Sequence, residues 1–266
     1  MTIDVGSLTR RSRRLELDGV DFTAFAERPL DADSLRCLRY MHDVENHTMC
    51  YLRDVLVTAA HRDAEVTAFL ACWCYEEHWH GDAIAQVLEA HGEPGIGTRV
   101  ASLRQRLPRR DGLRPLMFSL GSALTEHMVA IHMAWGAVNE WTTQAGYARL
   151  SARAGHPILT DLLQRIMKQE GRHIDFYAGQ ARQRLEDSRG AQRVARLALR
   201  RLWKPVGSGV MPPAEVAFLS THLFGDPAGL QTAARVDRNV DRLPGLADLH
   251  LLEGAVHAYQ SPALAA

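Results

Sequence analysis

Two short stretches decide how this chain folds: Cys74-Tyr75-Glu76-Glu77-His78-Trp79-His80-Gly81 and Lys168-Gln169-Glu170-Gly171-Arg172-His173. Each contains Glu-x-x-His, as Glu77 with His80 and Glu170 with His173. Residues three apart share one face of an α-helix, so each pair directs a carboxylate oxygen and an imidazole nitrogen at the same point. One such pair is common by chance. Two, each inside a long helical pattern, are not.

Both stretches sit on apolar faces. Trp73, Cys74, Gly81 and Ile84 surround Glu77, and Leu163, Ile166, Met167, Ile174 and Tyr177 surround Glu170. Two further glutamates have the same setting. Glu45 shares a face with Leu38, Met41, Thr48, Met49 and Leu52; Glu140 shares one with Met133, Gly136, Ala137, Thr143 and Tyr147. An ionised carboxylate on a core face is costly unless it is paired or bound to a metal.

The apolar spacing predicts four long helices, over about residues 35–60, 64–89, 116–153 and 158–185. Polar or Gly/Pro breaks separate them, at His61-Arg62-Asp63, His91-Gly92-Glu93-Pro94-Gly95 and Ala154-Gly155-His156-Pro157. Residues 95–112 read as an arginine-rich crossover with Pro108 and Gly112 as breakers. Shorter helices are expected over 191–203, after Pro212-Pro213, and from Asp226-Pro227, where Asp caps and Pro takes the first helical position. The chain is therefore expected to be all-α: an irregular N-terminal arm over 1–33 carrying Arg10-Arg11-Ser12-Arg13-Arg14, a bundle over 34–188, and a C-terminal helical cap over 189–266 belonging to the same domain.

Register gives an independent test. Glu45 lies sixteen residues before the break near residue 61, and Glu77 sixteen after it. Glu140 lies fifteen before the break near residue 155, and Glu170 fifteen after it. Equal spacing from an antiparallel turn puts all four at one height, roughly 23 Å from either turn at about 1.5 Å per residue. Glu126, about 21 Å along the helix from Glu140, falls outside that layer. His78, one position from Glu77, points about 100° away. His42, one turn before Glu45 on its face, is a candidate ligand or supporting residue.

Four carboxylates and two imidazoles form a hard, mixed O/N set that suits two iron ions, or manganese, better than zinc. A Glu from each of two helices with Glu-x-x-His from the other two is the ferritin-like di-iron carboxylate pattern. The expected fold is accordingly a ferritin-like four-helix bundle with a long crossover between helices two and three and extra C-terminal helices. The expected ligands are Glu45, Glu77, His80, Glu140, Glu170 and His173.

The composition agrees with a globular chain. Apolar residues make up 46%, and Lys plus Arg equals Asp plus Glu at 31 each, which argues against general polyanion or nucleic-acid binding. No apolar run is long enough to span a membrane. Cys37, Cys50, Cys72 and Cys74 lie in apolar helical runs with no Cys-x-x-Cys pair, as expected of core thiols in a reduced, cytoplasmic protein.

The segment Glu76-Glu77-His78-Trp79-His80-Gly81-Asp82 resembles the Glu-Glu-Asn-Arg-His-Gly-Asp segment of soluble acyl-acyl-carrier-protein desaturases, and Gln169-Glu170-Gly171-Arg172-His173 resembles their Asp-Glu-Lys-Arg-His. Asn139-Glu140-Trp141 through Tyr147-Ala148-Arg149-Leu150 is similar to the family helix that ends Gly-Asn-Thr-Ala-Arg-Leu. The likeness runs over about residues 35–185. It departs at Gln169, where the family has an aspartate beside the ligands, and at His78 and Trp79.

The resemblance implies a homodimeric enzyme that uses O2 and two electrons from a ferredoxin-like donor to desaturate a fatty acyl chain carried by acyl carrier protein. It implies the same six ligands, a role for Thr143 beside the oxygen site, and a supporting role for Gln169. Met133, Gly136 and Ala137 are candidates for an apolar substrate tunnel, or else close-packing positions. Arginine clusters at Arg99, Arg104, Arg106, Arg109, Arg110 and Arg114, and at Arg193, Arg196, Arg200 and Arg201, are candidate docking sites for acidic partners. A di-iron monooxygenase (hydroxylase or N-oxygenase) and a ferroxidase-like iron protein are the alternatives.

Overall fold

The computed structural model describes residues 5–261 and is all-α, with no strand among the described residues. Its helices are α1 (Val5–Arg11), α2 (Ala24–Glu27), α3 (Ala32–Glu45), α4 (Thr48–Leu56), α5 (Ala64–Ala90), α6 (Ile96–Arg106), α7 (Arg114–Leu124), α8 (Met128–Ala154), α9 (Pro157–Glu186), α10 (Arg189–Leu202), α11 (Pro213–Phe224), α12 (Pro227–Asp241) and α13 (Leu251–Gln260). Four antiparallel columns, α3–α4, α5, α8 and α9, form the bundle, and α6 and α7 make the crossover from α5 to α8.

Local chemistry sets the ends. Asp31 accepts the Ser34 N–H at 2.7 Å to cap α3, and Asp63 accepts from Glu65 and Val66 at 3.1 Å to cap α5. Gly155 closes α8 with φ +56°, a left-handed cap that L side chains rarely adopt, and Pro157 then opens α9. The α8–α9 hairpin packs along its length through fully buried Leu150, Leu159, Leu162, Leu163 and Ile166. Burying each such side chain contributes about 1.5–3 kcal/mol.

The helical columns differ from the sequence expectation in three places. The first column breaks at Asn46-His47, directly after Glu45. The Asn46 side chain donates to the His42 carbonyl at 3.0 Å, and Thr48 Oγ1 donates to the Glu45 carbonyl at 2.6 Å. Polar side chains thus replace the helical ladder across the break. The third column breaks at 125–127, leaving Glu126 exposed in the turn between α7 and α8. The N-terminal arm and the crossover are not wholly irregular, since they contain α1 and α6.

Three of the crossover arginines, Arg99, Arg104 and Arg114, turn inward, whereas Arg106 and Arg109 stay exposed. Arg99 pairs with Glu93 at 3.0 Å and Asp43 at 3.5 Å, Arg114 with Asp54 at 2.7 Å, and Arg104 donates to the Asn46 carbonyl at 2.7 Å. These bonds staple the crossover to α3 and α4. The C-terminal helices pack on α8 and share the bundle's core. Trp203 Nε1 donates to Asn139 Oδ1 at 3.1 Å, which ties the end of α10 to the residue before Glu140.

Gly136 is a packing glycine. A Cβ there would collide with the Tyr177 ring. Gly136→Ala should therefore cost about 1–3 kcal/mol, and thermal melting should fall by about 2–4 °C per kcal/mol. At Gly121 an added Cβ meets only the Met128 methyl at 3.5 Å, so Gly121→Ala should leave melting unchanged or raise it.

Candidate metal centre

The four columns deliver six side chains to one buried layer. Glu45 ends α3, Glu77 and His80 lie mid-α5, Glu140 mid-α8, and Glu170 and His173 mid-α9. All six are buried. They form two overlapping groups whose donor atoms lie within 4.8 Å of one another: Glu45, Glu77, His80 and Glu170, and Glu77, Glu140, Glu170 and His173. Glu77 and Glu170 belong to both. Each group could hold a metal ion, and Glu77 and Glu170 would be shared between the two.

Both histidines present Nδ1 to the layer. His173 Nδ1 lies 2.8 Å from Glu170 Oε2 and 3.1 Å from Glu77 Oε1, and His80 Nδ1 lies 3.3 Å from Glu170 Oε1. The far nitrogens are held from behind. His80 Nε2 meets Gln169 Oε1 at 2.9 Å, and His173 Nε2 meets Glu76 Oε2 at 2.8 Å. Gln169 Nε2 donates to the Arg13 carbonyl at 3.2 Å, which turns its oxygen to His80. His80 must then carry its hydrogen on Nε2, which leaves the Nδ1 lone pair facing the layer.

Metal fits this donor set. Glu45 Oε2, Glu77 Oε1, His80 Nδ1 and Glu170 Oε1 are buried without a hydrogen-bond partner in the protein, and together they are one donor from each member of the first group. Four such orphans in one spot are costly as bare polar atoms and natural as ligands. The two outer glutamates are each anchored by an aromatic donor: Trp73 Nε1 to Glu140 Oε1 at 3.0 Å, and the Tyr147 hydroxyl to Glu45 Oε1.

The electrostatics show the strain of crowding these groups. Burial, then the charges of Glu45 and Glu170, push Glu77 well above the usual carboxylate range. Burial, then Glu170, does the same to Glu140, and burial raises Glu45. For Glu170 burial acts in the same direction, but the hydrogen bond from His173 and the proximity of both imidazoles outweigh it and hold the carboxyl well below its ordinary value. Burial alone would lower His173. Its hydrogen bonds to Glu170 and Glu76 outweigh that and raise it to about 10.

The other expected site residues fall in different places. Thr143 lies one turn beyond Glu140 and lines a small apolar cavity that Glu45 also lines. Met41, Gly146, Tyr147, Leu219 and Leu223 form much of its wall. Its volume is about 50 Å³, room for roughly four water-sized spheres. Met133, Gly136 and Ala137 are not among its lining residues. Met133 and Ala137 are fully buried, and a Cβ at Gly136 would meet the Tyr177 ring. His42 belongs to neither ligand group; its Nδ1 lies 2.9 Å from Asp43 Oδ1. Exposed His78 and Glu126 lie outside the layer.

Sequence reasoning missed Glu76, Trp73, Tyr147 and Arg13 as supporting groups. Glu76 was legible in principle, because a second glutamate beside Glu77 with no exposed-face role is unusual on so apolar a helix. Asp237, His250 and Glu253 also approach one another, but both Asp237 oxygens accept backbone N–H groups, from Leu252 and Glu253 at 3.0 Å, and so cap α13.

No family model matches the chain, and no curated protein matches it.

Binding two divalent ions must displace the protons that the raised Glu77, Glu140 and His173 hold. Affinity should therefore rise as pH increases from about 6 to 8. Calorimetry in buffers of different ionisation enthalpy should show proton release, and a pH-independent isotherm would contradict the assignment. Glu77→Ala, which removes a shared ligand, should abolish loading of two ions per chain by elemental analysis.

Proposed function

We propose that the chain is an O2-dependent di-iron oxidase acting on an apolar carbon chain, and that the chain is an acyl-acyl-carrier-protein desaturase. The observation that carries this reading is the pair of ligand groups sharing Glu77 and Glu170, one of whose outer members, Glu45, also lines an apolar cavity. Iron ions bound there supply reduction of O2 to an oxidant strong enough to take hydrogen from an unactivated C–H bond.

The chain's own groups do the rest. Glu77 and Glu170 fix the spacing of the two positions, and Gln169 and Glu76 orient the imidazoles. Leu219, Leu223 and Phe224 keep the cavity dry and give an alkyl segment apolar contact. Thr143, in the wall beside Glu45, offers a hydroxyl that holds or passes a proton next to the ligand layer. Loss of a second hydrogen from the adjacent carbon completes a desaturation.

The cavity also orders the alternatives. An iron-storing protein or ferroxidase needs no apolar cavity beside its ligands. A monooxygenase acting on a shorter substrate is the second reading, favoured by the small volume. A long acyl chain requires the cavity to widen.

Partner docking fits a part of the two arginine clusters rather than the whole of them. Arg99, Arg104 and Arg114 are committed inward. Arg106 and Lys204 line a groove of about 440 Å³ formed with residues 208–213, and exposed Arg200 and Arg201 precede Lys204. This cationic edge suits an acidic carrier or an acidic ferredoxin-like donor. The homodimer the resemblance implies has an apolar face to bury, formed by exposed Leu116, Met117, Leu120 and Leu124 on α7. No helix among the described residues is long and apolar enough to cross a membrane.

The test is direct. Reduced, iron-loaded protein given O2 and stearoyl-carrier protein should yield a product lacking two hydrogens by mass spectrometry. A product carrying one added oxygen would support the second reading. Thr143→Val should lower turnover about a hundredfold while both ions stay bound. Undiminished turnover would remove Thr143 from the mechanism.

A further inference from the structure

The two ion positions have matched inner ligands and unmatched support. Each has one outer glutamate, one histidine and the shared pair Glu77 and Glu170. Each outer glutamate accepts one hydrogen bond from a buried aromatic, Glu140 from Trp73 and Glu45 from Tyr147. Each histidine faces the layer through Nδ1 and is held through Nε2. The difference lies behind the imidazoles. His173 leans on the Glu76 carboxylate, whereas His80 leans on the neutral Gln169 amide.

That contrast is built in rather than incidental. Glu76 is fixed by Arg172 Nη2 at 2.7 Å and by the Arg13 backbone N–H at 3.3 Å. The same residue's carbonyl accepts from Gln169 Nε2 at 3.2 Å. One residue of the N-terminal arm therefore holds both supports, and its N–H selects an acceptor on one side while its C=O selects a donor on the other. An amide can satisfy that carbonyl. An ionised carboxylate at position 169 would face it oxygen to oxygen.

A carboxylate behind a ligating imidazole raises its basicity and strengthens the metal bond, and such partners are worth about ten- to hundredfold in affinity. From this geometry we infer that the two positions are chemically unequal: the position of His173, Glu140, Glu77 and Glu170 takes the first divalent ion, and the position of His80 and Glu45 fills second. The inference rests on the two-ion reading proposed above and adds the order of loading and its cause.

The experiment titrates Co(II) into metal-free, full-length protein without O2, followed by calorimetry and by visible d–d absorption. Two steps separated by about ten- to hundredfold are expected. Mutual repulsion of two ions would also separate the steps, so the variants assign them. His80→Ala should keep the tight step and lose the weak one; His173→Ala should lose the tight step. Glu76→Gln should weaken the tight step about tenfold or more and shift its absorption bands, and circular dichroism would show that the bundle remains folded. Equal first-ion affinity in His80→Ala and His173→Ala, or a tight step that survives Glu76→Gln unchanged, would overturn the inference. Absence of any stoichiometric Co(II) binding in the unaltered protein would instead overturn the two-ion reading itself.

Discussion

Four carboxylates in one buried layer are the constraint around which this structure is organised. Glu45, Glu77, Glu140 and Glu170 arrive from four separate helical columns and are buried together with His80 and His173. Like charges at this separation in a low-dielectric interior repel strongly. The raised titration of Glu77 and Glu140 and the unpartnered atoms of the first group are two expressions of the same unpaid repulsion. Two divalent cations would remove it, which is why the centre is more economically read as a binding site than as a stabilising network.

Much of the surrounding structure serves to hold that layer in place. The break at Asn46-His47 comes directly after Glu45, and Gly81, directly after His80, leaves room for the Asn46 side chain, which a Cβ would strike. The crossover is bonded to the same region through Arg99, Arg104 and Arg114. The N-terminal arm closes the opposite side through Arg13, and Trp203 anchors the C-terminal cap beside Glu140. Segments that look peripheral in the chain thus converge on the ligands.

The cavity gives the centre its direction. It is lined by Glu45 and Thr143 and by aliphatic and aromatic side chains from α3, α8, α11 and α13. The C-terminal segment therefore supplies about half of the lining residues, although it carries none of the six candidate ligands.

The chain's own order of residues determined the helical class, the four columns and the meeting of the six candidate ligands in one layer, because helical periodicity and distance from a turn are local quantities. Glu-x-x-His is one turn of one helix, and equal spacing from a hairpin turn fixes height without knowledge of packing. Tertiary structure alone decided what stands behind and beside those ligands. Arg13 reaches Glu76 and Gln169 across 63 and 156 positions, and Tyr147 reaches Glu45 across 102, distances at which no period in the sequence survives. The same holds for the packing of Gly136 against Tyr177 and for the inward turn of Arg99, Arg104 and Arg114. Their chemistry is visible in composition, but their partners are set by how the helices meet.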